Sequence, residues 1–144
     1  VSVDEFQRSR LPARDASPDG AGPRLDVVLE QNPTTLRRIR DQATAFVSGH
    51  RPHADPDAVA DVRLVLDEMA SNAMRHARPP YGLALSLRGD RLLIEVSDSL
   101  PEPARYREGY EGGGRGLALI DAIAARWGQT PREDGKTVWA ELAL

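Results

Sequence analysis

The sequence predicts a single α/β domain. Three observations carry this. A chain of 144 residues with 40% apolar content can bury one core but has little room for a second. Two long stretches place apolar residues at helical spacing, each behind an Asx-Pro start signal. The segments between and after them alternate apolar and polar residues, as half-buried strands do.

Taken in order, residues 1–24 hold Pro12, Pro18, Pro23, Gly20 and Gly22 with scattered charges and no period, so they read as a disordered N-terminal tail. The domain proper covers 25–144. Leu25 to Glu30 reads as a strand. Asn32-Pro33 supplies a cap and a first-turn proline, and Leu36, Ile39, Ala43, Phe46 and Val47 follow at helical spacing up to Gly49. His50 to Ala54 is a loop. Asp55-Pro56 opens a second helix whose apolar arc is Val59, Val62, Leu66, Met69, Ala73 and Ala77, and Pro79-Pro80 stops it. Leu83, Leu85 and Leu87 alternate in a strand, Gly89-Asp90 turns, and Leu92 to Asp98 returns. Residues 99–114 contain two Pro and four Gly without a period; loops of this length in small domains are often functional. A third helix starts near Arg115, and Trp127–Thr130 with Thr137–Leu142 form a closing hairpin across Asp134-Gly135.

Composition excludes several functions. The formal net charge is −3, against the basic excess of a general nucleic-acid binder. Cysteine is absent, which removes disulfides, thiolate metal sites and cysteine nucleophiles. No apolar run approaches the ~18 residues of a membrane span, and no signal peptide is visible. The expectation is a soluble cytoplasmic domain. Of 19 basic residues, Lys136 is the only lysine.

Two constellations are chemically suggestive. Glu68, Asn72 and His76 are four apart, and each step rotates only ~40° at ~3.6 residues per turn, so they form one polar stripe beside the apolar arc. A carboxylate and an amide one turn apart suit a general base and a hard-cation ligand. The competing reading is a solvated face with ordinary i,i+4 pairs. Gly112-Gly113-Gly114-Arg115-Gly116 precedes an apolar helix; glycines let backbone N–H groups approach an anion, a helix N-terminus favours negative charge, and Arg115 adds a phosphate contact. Here the competing reading is a flexible loop closing on a helix. Asp98 enters this loop and can accept from an amino group on a base, or cap a turn.

Three features mimic sites. Gly135-Lys136-Thr137 imitates the end of a phosphate loop, but the upstream glycine is Thr130 and no helix follows. His50 and His53 have ligand-like spacing without a third ligand. Ser97 and Ser99 lack the strand-to-helix elbow of an activated serine.

Together, the segments Leu66 to Ala77, Asp98, Gly112 to Asp121 and Gly135 to Trp139 resemble the N box, second box, glycine box and closing strand of the GHKL (Bergerat-fold) ATPase superfamily, over roughly residues 25–144. The branch they resemble is that of the anti-sigma-factor serine/threonine kinases. The resemblance implies an α+β two-layer sandwich, a mixed sheet with helices on one face, binding ATP with Mg²⁺. It implies Glu68 as general base, Asn72 as Mg²⁺ ligand, Asp98 as reader of the adenine amino group and Thr137 as support on the adenine side. Gly112, Gly113, Gly114, Arg115, Gly116 and Leu117 would form the lid and its helix, with His76 at the cleft edge. The implied partners are a sigma factor and an anti-sigma-factor antagonist, with a homodimer as a further option and neither nucleic acid nor membrane bound directly. One departure stands out: the second box usually reads Asp-x-Gly-x-Gly, and here Asp98-Ser99-Leu100-Pro101-Glu102 has no glycine. Two activities are compatible with this: serine phosphorylation of an antagonist, or a non-catalytic, nucleotide-responsive binding module.

Overall fold

A computed structural model describes residues 22–104 and 115–144, the side chains of Arg115 and Gly116 excepted. The elements are β1 (Arg24–Leu29), α1 (Thr35–His50), α2 (Pro56–His76), β2 (Tyr81–Arg88), β3 (Arg91–Asp98), α3 (Arg115–Ile123), β4 (Arg126–Arg132) and β5 (Gly135–Ala143). The tail expected over 1–24 lies outside the described residues up to 21. At its end, Arg24 already belongs to β1, and Pro23 O accepts from Leu87 N at 2.9 Å.

The helices start for local reasons. Asp55 accepts from Asp57 N at 2.9 Å and Pro56 takes the first turn, which fixes the start of α2. The start of α1 differs from expectation. Asn32 Oδ1 accepts from Thr34 N and Thr34 Oγ1, so it shapes the turn before the helix instead of capping it. Buried Thr35 then ties the first turn back by donating to Glu30 O.

The sheet order is β1-β2-β3-β5-β4, and all four pairings among the described residues are antiparallel. This corrects the mixed sheet that the resemblance implied: each neighbouring pair here is antiparallel, and two of them (β2–β3 and β4–β5) are tight hairpins. The two-layer α+β arrangement stands. The core joins Ile39, Ala43 and Val47 of α1, Val62, Val65, Leu66 and Met69 of α2, and Leu117 and Ile120 of α3 to one face of the sheet. That face carries Leu83, Leu85 and Leu87 of β2, Leu92, Ile94 and Val96 of β3, and Val138, Ala140 and Leu142 of β5. The alternate residues, including Leu93, Glu95 and Trp139, are buried outside this cluster, as the two-residue period requires. Arg126 lies over the Trp139 ring, 6.0 Å from its centroid.

This register places the site. Ser97 stands opposite Thr137, and Asp98 opposite Lys136, at the ends of β3 and β5. Directly opposed residues share a face, so Asp98 and Lys136 point with Val96 and Val138 toward α2. Gly135 permits the approach: a Cβ there would sit 1.9 Å from Asp98 O and 2.8 Å from Ser99 Cα. Gly135→Ala is therefore expected to destabilise the fold by about 1–3 kcal/mol through forced backbone displacement. By contrast, Gly49→Ala, in a helical position with open space around it, should stabilise by about 0.5–1 kcal/mol. Urea unfolding midpoints of the two variants check both signs.

Candidate functional site

A cavity of about 390 Å³ lies between the C-terminal half of α2 and the ends of β3 and β5. α2 contributes Met69, Asn72, Ala73 and His76; the sheet contributes Val96, Asp98, Lys136 and Val138. Leu100 and residues 102–104 close one side, and Leu117 and Ile120 of α3 close another. Mostly apolar walls with a few convergent polar groups are the usual make-up of a small-molecule site.

The polar groups are deeply placed. Asp98 is 6% exposed, Lys136 4% and Asn72 9%. Lys136 Nζ donates to Asp98 Oδ1 and to Leu100 O, both at 3.0 Å, and Leu100 N donates to Asp98 Oδ1 at 2.8 Å. One ion pair thus fixes a strand end and the chain leaving it. Burial, and then the nearby Asp98 carboxylate, push the Tyr81 phenol above its ordinary pKa, so it stays a donor, here to Ala77 O at 3.3 Å.

The segment after Asp98 is held at both ends. Ser99 N donates to Arg78 O, and the single Ser99 hydroxyl proton is shared between Pro79 O at 2.6 Å and Arg78 O at 3.1 Å. At the other end the Gln129 amide clamps the Ala104 backbone, accepting from its N–H at 2.7 Å and donating to its carbonyl at 2.9 Å. Side-chain staples thus occupy the stretch where the resembled family carries glycines. They also account for Ser99, whose hydroxyl serves the backbone and not a reaction.

The residues singled out in the sequence divide as follows. Asn72, His76, Asp98 and Leu117 all line the cavity, His76 at its exposed edge. Glu68 lies one turn earlier on α2, half-buried and outside the cavity lining. Arg115 and Gly116 begin α3; Gly112, Gly113 and Gly114 lie outside the described residues. Thr137 requires a correction. It lines a separate cavity on the opposite face of the sheet, together with Ser97 and Thr130, so its hydroxyl does not support the site beside Asp98. The reason is strand alternation: Val138 is in the core, so its neighbour Thr137 faces away.

Lys136 and Gln129 were not anticipated as site residues. The same parity, counted two back from Val138, places Lys136 on the cavity face, and it is the only lysine in the chain. Gly135-Lys136-Thr137 is not a phosphate loop, since Gly135 opens β5 and the lysine belongs to a strand.

This donor set fits a nucleotide with Mg²⁺ in part. The apolar walls suit a purine ring, Asp98 and Lys136 present polar atoms to the cavity, and the Asn72 amide offers a hard oxygen. No group of three His, Asp or Glu residues that could hold a metal occurs among the described residues. Mg²⁺ commonly binds through few protein ligands plus phosphates and waters, and the Asn72 amide is a hard oxygen donor in this lining. No helix among the described residues is long and apolar enough to cross a membrane.

These features define an ATPase-type nucleotide-binding domain, and comparison with known proteins bears this out. Residues 29–142 match the histidine kinase-like ATPase domain family, and the chain belongs to it. No curated relative matches. Among solved structures, the RsbU and RsbW domains of Rv1364c from Mycobacterium tuberculosis are similar in fold, with a TM-score of 0.65 and 21% identity. That similarity covers 85% of this chain and 32% of the other, so the chain spans about a third of the solved protein's length.

The buried pair makes a stability prediction. Asp98→Ala leaves the Lys136 ammonium buried without its counter-ion and should cost about 3–5 kcal/mol, whereas Asp98→Leu combined with Lys136→Met should recover most of that loss. Equilibrium denaturation of the single and double variants reads the difference.

Proposed function

We propose that this protein is an ATP-binding regulator of the anti-sigma-factor kinase type, which phosphorylates a serine on an anti-sigma-factor antagonist and binds a sigma factor in the cytoplasm. The observation that carries the nucleotide part is the convergence of Asn72 and Asp98, from distant parts of the chain, on one largely apolar cavity. Family membership and the ordered N-box and glycine-box motifs support it. The sigma factor and antagonist follow from the sequence resemblance to that branch.

In this reading, bound Mg²⁺·ATP supplies the electrophilic γ-phosphoryl group. Asn72 holds the cation through its amide oxygen. Asp98 accepts from the exocyclic amino group of adenine and fixes the base at the sheet end. Glu68, one turn away from Asn72 and outside the base cavity, would take the proton of the acceptor serine hydroxyl as the serine oxygen bonds to the γ-phosphorus and the bond to the β–γ bridging oxygen breaks, releasing ADP. Arg115 and the glycines before it meet the phosphates at the N-terminus of α3.

A second reading has its own observation. The stapling of residues 99–104 by Ser99, Lys136 and Gln129 replaces the glycine-rich hinge of the family, which favours a nucleotide-responsive binding module without transfer. The two readings separate on α2. Glu68→Gln should leave Mg²⁺-dependent ATP binding near normal and lower phosphate transfer to the antagonist by about 10²–10⁴-fold. Asn72→Ala should weaken binding and transfer together, because the cation offsets phosphate charge in the ground and transition states alike. Radiolabel transfer from ATP, with calorimetric titration in parallel, distinguishes them. Tight ATP binding with no transfer by the unaltered protein would select the binding module.

A further inference from the structure

The Asp98–Lys136 pair does more than neutralise charge, because it leaves one acceptor and one donor for the cavity. Asp98 Oδ1 accepts from Lys136 Nζ and from Leu100 N, which uses both of its lone pairs. Asp98 Oδ2 accepts from nothing among the described residues. The ammonium has three N–H donors; two go to Asp98 Oδ1 and Leu100 O, and the third has no acceptor among the described residues. Both side chains are more than nine-tenths buried and both line the cavity. Both groups line the cavity, so a ligand that offers a donor to Asp98 Oδ2 and an acceptor to the remaining ammonium N–H gains a charge-assisted hydrogen bond from each.

The ligand edge that meets them is an N–H donor beside a ring acceptor. Adenine has this pair in its exocyclic amino group and ring N1. Guanine in the same pose presents the reverse: its carbonyl oxygen would face the carboxylate, and its ring N–H would face the ammonium. We infer that Lys136 is a specificity-determining residue of the nucleotide site, donating to ring N1 of an adenine whose amino group donates to Asp98 Oδ2. Selectivity then comes from two matched contacts for adenine and two opposed ones for guanine, so the lysine adds rejection as well as attraction. The assignment rests on the nucleotide-binding reading above and gives that site its base preference.

Analogues test this on the unaltered protein. ATP, 1-deaza-ATP (ring N1 replaced by C–H) and purine riboside triphosphate (amino group replaced by H) are titrated calorimetrically with Mg²⁺. The expected result is that each analogue binds roughly tenfold more weakly than ATP, the ordinary consequence of one unmet buried hydrogen bond. In Lys136→Met, the difference between ATP and 1-deaza-ATP should vanish while the loss with purine riboside triphosphate persists. If that variant does not fold, the wild-type comparison alone decides. Equal affinity for ATP and 1-deaza-ATP, with purine riboside triphosphate still weakened, would make Lys136 only a counter-ion and overturn the inference while leaving the nucleotide site intact. Equal affinity for all three would remove both base contacts. Failure of ATP to bind at all would remove the nucleotide reading and this inference with it.

Discussion

The site depends on one buried ion pair. Taking a carboxylate and an ammonium out of water costs several kcal/mol per ion, and their attraction offsets this best where further hydrogen bonds surround the pair. Here Leu100 supplies both a donor and an acceptor from its own backbone, one to Asp98 and one to Lys136. The pair is also placed by the sheet: Asp98 and Lys136 are register partners, and a one-residue slip of either strand would break the pairing and turn its member to the opposite face. Gly135 completes the arrangement, since any side chain there would collide with the Asp98 backbone. Fold, register and site therefore share one constraint at the end of β3.

That constraint also sets the character of the loop. In a glycine-rich second box, the backbone is free to move and a ligand comes close to it. In this chain the same stretch is held by Ser99 on the 78–79 backbone, by Lys136 on Leu100 and by Gln129 on Ala104. Local opening of such a segment requires several hydrogen bonds to break together. Leu100 contributes an apolar wall to the cavity in return. The substitution of side-chain staples for glycines thus exchanges freedom near the base for a shaped, pre-formed pocket, which lowers the ordering cost on binding.

Much of this was legible in the sequence. The three helices, both hairpins and the core face follow from apolar periodicity and turn chemistry, with boundaries displaced by a residue or two. Asn72 and Asp98 could be assigned to one site from motif order alone. Motif order alone puts Thr137 beside Asp98, whereas strand parity, set by Val138 in the core, turns it to the other face. Lys136 and Gln129 were obscure for a different reason. Their roles come from pairing across strands and loops, Lys136 with Asp98 at a separation of 38 residues and Gln129 with Ala104 at 25, and no local pattern reports such contacts. The antiparallel order of the whole sheet was hidden likewise, because topology depends on which strands pair and not on where each begins.

The polar stripe of α2 shows how sequence spacing becomes position. At a rise of about 1.5 Å per residue, Glu68 and His76 stand about 12 Å apart along the helix, with Asn72 midway. The lining of the cavity takes Asn72 and His76 and stops short of Glu68. One helix face therefore spans two environments: an enclosed one beside Asp98, suited to a base, and a half-buried one a turn further on. A nucleotide is itself elongated, with its ring at one end and its reactive phosphate at the other. A carboxylate inside the base cavity would face the wrong end of such a ligand and add a second negative charge near Asp98. In the proposed reading, displacement by one turn lets Glu68 meet an acceptor hydroxyl away from the base end of the ligand. In that reading, the separation of Glu68 from the cavity is thus the arrangement that binding and transfer would jointly require, and it would make the two properties independently alterable on a single helix.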